Sequence, residues 1–206
     1  MYFDLTDSDA TWREAYRLCI GFVAPRPIAL VSTVSPRGIT NLAPYSFYNM
    51  VCAKPPIVMF SSGARRDGAQ KHSLRNAEAS GEFVVATATP AFASAIVACA
   101  ADLDYEDSEF EFSGLTPKPA RLVRAPLVAE SPVNIECRVQ QITRLGEGPG
   151  SAAVVFGRIV AVHVDPSVLT EAGEIDPHRL HTVGRLGGEY YVNAEHPYVL
   201  KIPKPA

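Results

Sequence analysis

The sequence predicts a mainly β fold with flanking helices, arranged as an antiparallel barrel. Three observations carry that prediction. Short β-branched and apolar runs recur between turn residues, strong apolar alternation from Val133 to Leu145 is followed by a turn and a second strand-like run from Ala152 to Val164, and no apolar run approaches the length of a membrane span. The 206 residues, 47% apolar and 20% charged, suffice to bury a core without metals or disulfides. Neither a linker nor an internal repeat divides them, so one domain over 1–206 is expected.

Ala10 to Cys19 carries apolar residues at helical spacing, with Thr6 or Ser8 available as a cap, and is read as a helix across the barrel. Ile28 to Val34 reads as a strand. Ser35-Pro36-Arg37-Gly38 has hairpin turn chemistry, and a return strand begins near Ile39. Pro44 has no N–H for a ladder, so Asn41-Leu42-Ala43-Pro44 is expected to interrupt pairing and free backbone amides, a planar polar ligand being one candidate to meet them. Lys54-Pro55-Pro56 turns the chain into Ile57-Val58-Met59-Phe60, a short buried strand that opens onto the polar loop from Ser61 to Gly68. Lys71 to Ser80 reads as a helix stopped by Gly81, Phe83 to Ala88 as a strand, and Pro90 to Ala101 as a packed helix started by its proline. Asp102 to Pro119 is an acidic, aromatic-spiked loop, a lid or a crossover. Val133 to Leu145 and Ala152 to Val164 form a long hairpin about Gly146-Glu147-Gly148-Pro149-Gly150.

Several function classes fall away. A formal charge of −3 and the lack of a basic run argue against nucleic acid and against an anionic membrane surface. Without a leader-like or spanning segment, the expected location is cytoplasmic. Cys19, Cys52, Cys99 and Cys137 lack paired spacing, lie in apolar contexts and read as buried free thiols. His178 and His181 could share a helical face, yet no third ligand stands near and His163 falls in a strand, so no metal site is expected. GxSxG, Walker A and GxGxxG motifs are all missing, which removes the common hydrolase, NTPase and Rossmann readings.

The segments that remain are Pro25-Arg26-Pro27-Ile28-Ala29, Ser32-Thr33, Asn41-Leu42-Ala43-Pro44-Tyr45-Ser46, Pro55-Pro56, Ser61-Ser62, Lys71 to Asn76, and Arg185-Leu186-Gly187-Gly188-Glu189-Tyr190. Together they resemble the flavin reductase-like, FMN-binding split-barrel family, over about residues 21–191. The resemblance implies a homodimeric split barrel that binds FMN, with FAD as the alternative, and takes electrons from a transient NAD(P)H. A partner monooxygenase is the implied recipient of reduced flavin. The rival readings are an FMN-dependent oxidase or oxygenase acting directly on a small organic substrate, and a flavin-binding electron carrier.

The resemblance also assigns residues. Taken alone, the stretch from Ser61 through Arg66 to Lys71 is a solvated polar loop before a capped helix. With the resemblance, Ser61, Ser62, Lys71 and Ser73 become phosphate-side residues, and Arg26 joins them through the RPIA match. Here Lys71-His72-Ser73 stands where the family often has Lys-Asp-Thr, so the hydroxyl is kept and the acid is not. Asn41, Leu42, Ala43, Tyr45 and Ser46 inherit the edge of the isoalloxazine ring, largely through backbone. Tyr190 is expected to close over the ring or the nicotinamide, or to pack at a subunit boundary. Tyr45, Phe47 and Tyr48 also read as barrel core, the preferred reading for Phe47. Hydride transfer to a flavin needs stacking and electrostatic support, so no catalytic acid or nucleophile is assigned.

Overall fold

A computed structural model describes residues 1–65 and 67–203, apart from the side chains of Ser8 and Asp9. Helix α1 (Ser8–Phe22) is capped by Asp7, whose carboxylate accepts from the Ala10 N–H at 3.1 Å. Asp7 thus does what Thr6 or Ser8 was expected to do. Strands β1 (Arg26–Pro27), β2 (Ala29–Val34), β3 (Thr40–Tyr45), β4 (Tyr48–Ala53) and β5 (Pro56–Gly63) follow, then helix α2 (His72–Ser80) and strand β6 (Glu82–Thr87). Gly81 ends α2 in the left-handed region at φ 71°, its N–H reaching the Ala77 carbonyl at 2.9 Å.

The stretch expected to be one helix from Pro90 is instead a 3₁₀ turn (Pro90–Phe92) followed by α3 (Ala93–Ala98). Phe92, at φ −132° and ψ 27°, leaves the helical basin while its ring is buried, so packing overrides the propensity of the alanine run. The acidic loop is not structureless either. It contains α4 (Glu109–Ser113) and β7 (Pro117–Lys118), and β7 pairs with β8 (Leu127–Val128). The long hairpin is β9 (Val133–Leu145) and β10 (Ala152–Val164), at the boundaries its alternation predicts; β11 (Val183–Arg185) and β12 (Tyr191–Asn193) complete the chain.

Seven strands form one antiparallel sheet in the order β3-β2-β6-β9-β10-β5-β4. Its first and last members are consecutive in sequence, so the sheet must curl until β3 and β4 meet at Ser46-Phe47. There the Ser61 N–H donates to the Phe47 carbonyl at 2.8 Å, stitching β5 to the β3–β4 link. The result is a barrel with a split.

Residues facing into the barrel, among them Val31, Tyr45, Val58, Phe60, Phe83, Val85 and Val155, make one core cluster. Leu30, Leu42, Ala86, Phe92, Ile96 and Phe110 make a second, between the outside of β2, β3 and β6 and the helices α3 and α4. Burial on both faces explains why β2 reads as an unbroken apolar run.

Two expectations need correction here. Pro44 does not interrupt β3, because β3 is an edge strand: Leu30 pairs with Pro44 and Ala29 with Tyr45, and an edge position tolerates the lost donor. Phe47 is not core but 44% exposed, lying against Tyr16 of α1 with ring centres 6.4 Å apart.

Candidate functional site

The site is built where β3, β5 and the start of α2 converge. Alternation along β5 sends Val58, Phe60 and Ser62 inward and leaves Ser61 half-buried on the other face. The two serines therefore serve different sides. Ser62 is 1% exposed, and its Oγ has no hydrogen-bond partner. Tyr45 points inward from β3 and is also buried, with an unpartnered hydroxyl. Burial pushes the Tyr45 phenol above its ordinary value, while the neighbouring Ser73 and Ser62 hydroxyls work weakly the other way without completing a hydrogen bond. The phenol therefore keeps its proton at neutral pH. Buried hydroxyls are rarely left unpaired, and two side by side mark a place prepared for a ligand or an ordered water.

Helix α2 begins beside them. Its N-cap is Lys71, and no side chain bonds its first N–H groups. An uncapped helix start presents oriented donors and a partial positive charge. The Lys71 Nζ stands 5.7 Å from the centre of the Tyr45 ring, so the two predicted halves of the site, the β3 edge and the phosphate side, meet at Tyr45. A recess of about 90 Å³ opens between the end of β5 and the start of α2, with Ser62, Gly63, Gln70, Leu74 and Arg144 in its walls. Arg66, part of the predicted phosphate loop, lies outside the described residues. Orphaned hydroxyls, free helix donors and a cation form a donor set that fits a phosphate ester.

The other predicted residues occupy distinct places. Arg26 is 7% exposed and spends its guanidinium on the carbonyls of Ile20, Val23 and Leu186 at 2.7, 2.6 and 2.8 Å, with the Ser46 Oγ at 3.5 Å. It clamps the end of α1 to the barrel. Ser46 sits on the split itself, and Ala43, half-buried, packs against the inner cluster. Tyr190 is 76% exposed and follows the turn whose Leu186 carbonyl holds Arg26. Asn41 and Leu42 are buried against a partner that sequence reasoning missed, Glu109 of α4, which accepts from the Asn41 Nδ2 at 2.7 Å and from the Leu42 N–H at 2.9 Å. Ser73 donates to the Asn41 Oδ1 at 2.8 Å.

A latch covers α2. The Tyr105 hydroxyl donates to the Asn76 Oδ1 at 2.6 Å, and the Arg75 guanidinium lies 3.9 Å from the centre of the Tyr105 ring. The His72 ring meets Tyr105 edge-on, and its Nε2 is 3.0 Å from Arg65 Nη1. Arg65 in turn pairs with Asp102 at 3.5 Å.

The model of the flavin reductase like domain matches residues 22–183. The chain belongs to the flavin reductase-like family. An uncharacterized protein of Halalkalibacterium halodurans is 40% identical over 181 residues, covering 87% of this chain and 86% of that one. The structure is also similar to nitrilotriacetate monooxygenase component B from Bacillus cereus, at TM-score 0.89 and 31% identity over 97% of this chain and 99% of that one. It is similar as well to 2-nitrobenzoate 2-nitroreductase from Pseudomonas fluorescens, at TM-score 0.86 and 28% identity over 98% and 96% of the two chains. These flavin reductase-like neighbours fit the curled sheet and its split, and the family points to oxidoreductase chemistry with a bound flavin. Among the described residues, no helix is long and apolar enough to cross a membrane, and no group of three or more metal-ligating side chains gathers.

Proposed function

We propose that the chain binds FMN across the seam between β3 and α2 and works as a homodimeric NAD(P)H:flavin oxidoreductase. The observation that carries this reading is the buried, unpartnered pair of hydroxyls on Ser62 and Tyr45 beside the uncapped start of α2. In this reading Ser62, Lys71 and the first N–H groups of α2 hold the phosphate, and Ser61 stands on the opposite face of β5. Backbone from Asn41 to Ser46 lines the ring edge. Arg26 and Ser73 shape the site from behind, since their donors are already engaged by the protein. When bound, FMN supplies the hydride acceptor, and the chain supplies position, exclusion of water and a field. Tyr190, exposed on the single chain, covers the ring or meets the partner subunit.

The likeness to a monooxygenase component B supports a partner monooxygenase as the recipient of reduced flavin. A second reading, direct action on a small organic substrate, is favoured by the likeness to a nitroreductase and by an apolar cavity of about 310 Å³ between α3 and the β11–β12 strands. One experiment separates them. Purified protein is titrated with FMN and with FAD, then the visible flavin absorbance is followed anaerobically after adding NADH, then NADPH. Rapid bleaching is expected with one of the two. A flavin that stays bound and oxidised with both donors would overturn the reductase reading in favour of an organic substrate or a protein donor.

A further inference from the structure

Glu109 is a buried carboxylate, 4% exposed, carried by a helix of five residues inside what reads from sequence as a loop. Its Oε2 receives the Asn41 Nδ2 at 2.7 Å and the Leu42 N–H at 2.9 Å, from 68 and 67 residues away in sequence. Both are obligate donors, so Glu109 acts as the acceptor at the end of a hydrogen-bond chain. That end fixes the Asn41 amide, with its Nδ2 toward Glu109 and its Oδ1 toward the donors behind it. Ser73 Oγ donates to the Asn41 Oδ1 at 2.8 Å, and Thr33 Oγ1 donates to the same atom at 3.2 Å. Thr33 Oγ1 accepts from the Asn76 Nδ2 at 3.1 Å, and the Asn76 Oδ1 accepts from the Tyr105 hydroxyl at 2.6 Å. The chain thus leaves the 105–109 segment at Tyr105 and returns to it at Glu109, passing through α2, β2 and β3. Thr40 Oγ1 and Ser108 Oγ, 2.7 Å apart, add a second tie between the same two segments.

We propose that Glu109 is a positioning residue for flavin binding: it orders this chain and fixes β3 at Asn41 and Leu42, and with them the end of the strand against which the ring edge rests. Two consequences follow. The open side of the β3 edge loses the Leu42 N–H to Glu109, and Pro44 has none, so the backbone donor that remains for the ring on that side is at Ser46. The Ser73 proton is spent inward, so Ser73 meets a ligand as an acceptor, never as a phosphate donor. The inference rests on the flavin reading above, which wild-type binding tests separately.

The test compares wild type with Glu109→Gln and Ser73→Ala. FMN affinity, the visible spectrum and midpoint potential of bound flavin, and the exchange rate of the Leu42 amide are measured. Glu109→Gln is expected to weaken FMN by about tenfold or more, because both hydrogen bonds lose their charged acceptor, and to shift the flavin band and potential. The Leu42 amide should exchange faster. Ser73→Ala is expected to weaken FMN less than Glu109→Gln does, since Thr33 Oγ1 still donates to the Asn41 Oδ1 and no donor to the ligand is removed. Wild-type binding with an unaltered spectrum, potential and affinity in Glu109→Gln would overturn the role of Glu109 and leave the flavin reading intact. A loss in Ser73→Ala as large as that in Glu109→Gln would overturn the assigned direction of the chain, since Ser73 would then be donating to the ligand. Failure of wild type itself to bind flavin would overturn both readings. If Glu109→Gln does not fold, Glu109→Asp, one methylene too short, is read the same way.

Discussion

His72 stands where the family often has an acid, and the structure gives the exchange a physical meaning. Its Nε2 faces a guanidinium 3.0 Å away, an arrangement that a neutral imidazole satisfies as acceptor and an imidazolium does not. Burial lowers its pKa, and the adjacent Arg65 lowers it further. The sign of the linkage follows: a folded pKa below the unfolded value of about 6.5 gives stability that is fully present above that pH and is lost as pH falls through the folded value. Carboxylates facing the ring from Glu109 and Asp102 oppose the shift, while Arg75 adds to it. Wild type is therefore expected to lose stability in urea unfolding as pH drops from about 7 toward 5. His72→Gln should lack that component of the slope. Identical pH profiles for the two proteins would show that His72 does not hold the latch. Lys71 belongs to the same scale, being exposed beside a buried ring with no carboxylate paired to it among the described residues, as a ligand cation needs to be.

At the scale of elements, the long hairpin was legible because apolar residues recur at every second position in the first half of β9, Val133 to Val139, and because a glycine-rich turn separates it from the second apolar run in β10. Strand β4 was not, because Met50 and Val51 are apolar yet exposed, so sequence periodicity and burial part company. Helix α4 is too short for any periodic signal, and Glu109 finds Asn41 only through tertiary folding. The motif residues of the site were legible through resemblance, but their wiring was not: nothing local in the sequence says that Arg26 clamps α1 or that Ser73 turns inward. Gly157 shows an element-level constraint that sequence also hides. It lies at a register shift between β9 and β10, and a Cβ placed there would come within 2.2 Å of the Phe83 ring and 3.1 Å of the Cys137 Cβ. Phe83 is fully buried at the centre of the barrel, packed edge-on to Phe60 at 5.2 Å, and has nowhere to retreat. Gly157→Ala is expected to destabilise by about 1–3 kcal/mol through overpacking, read as a lower denaturation midpoint. A midpoint at or above that of wild type would mean that the barrel centre is looser than its packing indicates.

Among the described residues, an exposed apolar patch lies at the scale of the whole molecule, where α1 meets the split. Tyr16, Phe22 and Val23 of the α1 region and Phe47 at the split are all exposed. They are not scattered: Phe47 touches Tyr16 across the split, and Arg26 ties the end of α1 to the same place while lying 5.8 Å from the Phe47 ring. Scattered apolar residues on a surface need no explanation, but a contiguous patch of this kind usually marks an interface. Its position gives it functional weight, because the patch borders Ser46, where the flavin ring edge is proposed to rest. A second copy seated there would cover the split, exclude water from the site and bring its own exposed aromatics to it. Sedimentation should then find a species of twice the 22.2 kDa of one chain. Phe47→Glu, which places a charge in the middle of the patch while touching no residue of the barrel core, is expected to shift the protein toward monomer and weaken flavin binding together, with the fold retained by circular dichroism. A Phe47→Glu protein that stays dimeric and binds flavin as wild type does would separate the patch from the site and assign the interface to another face.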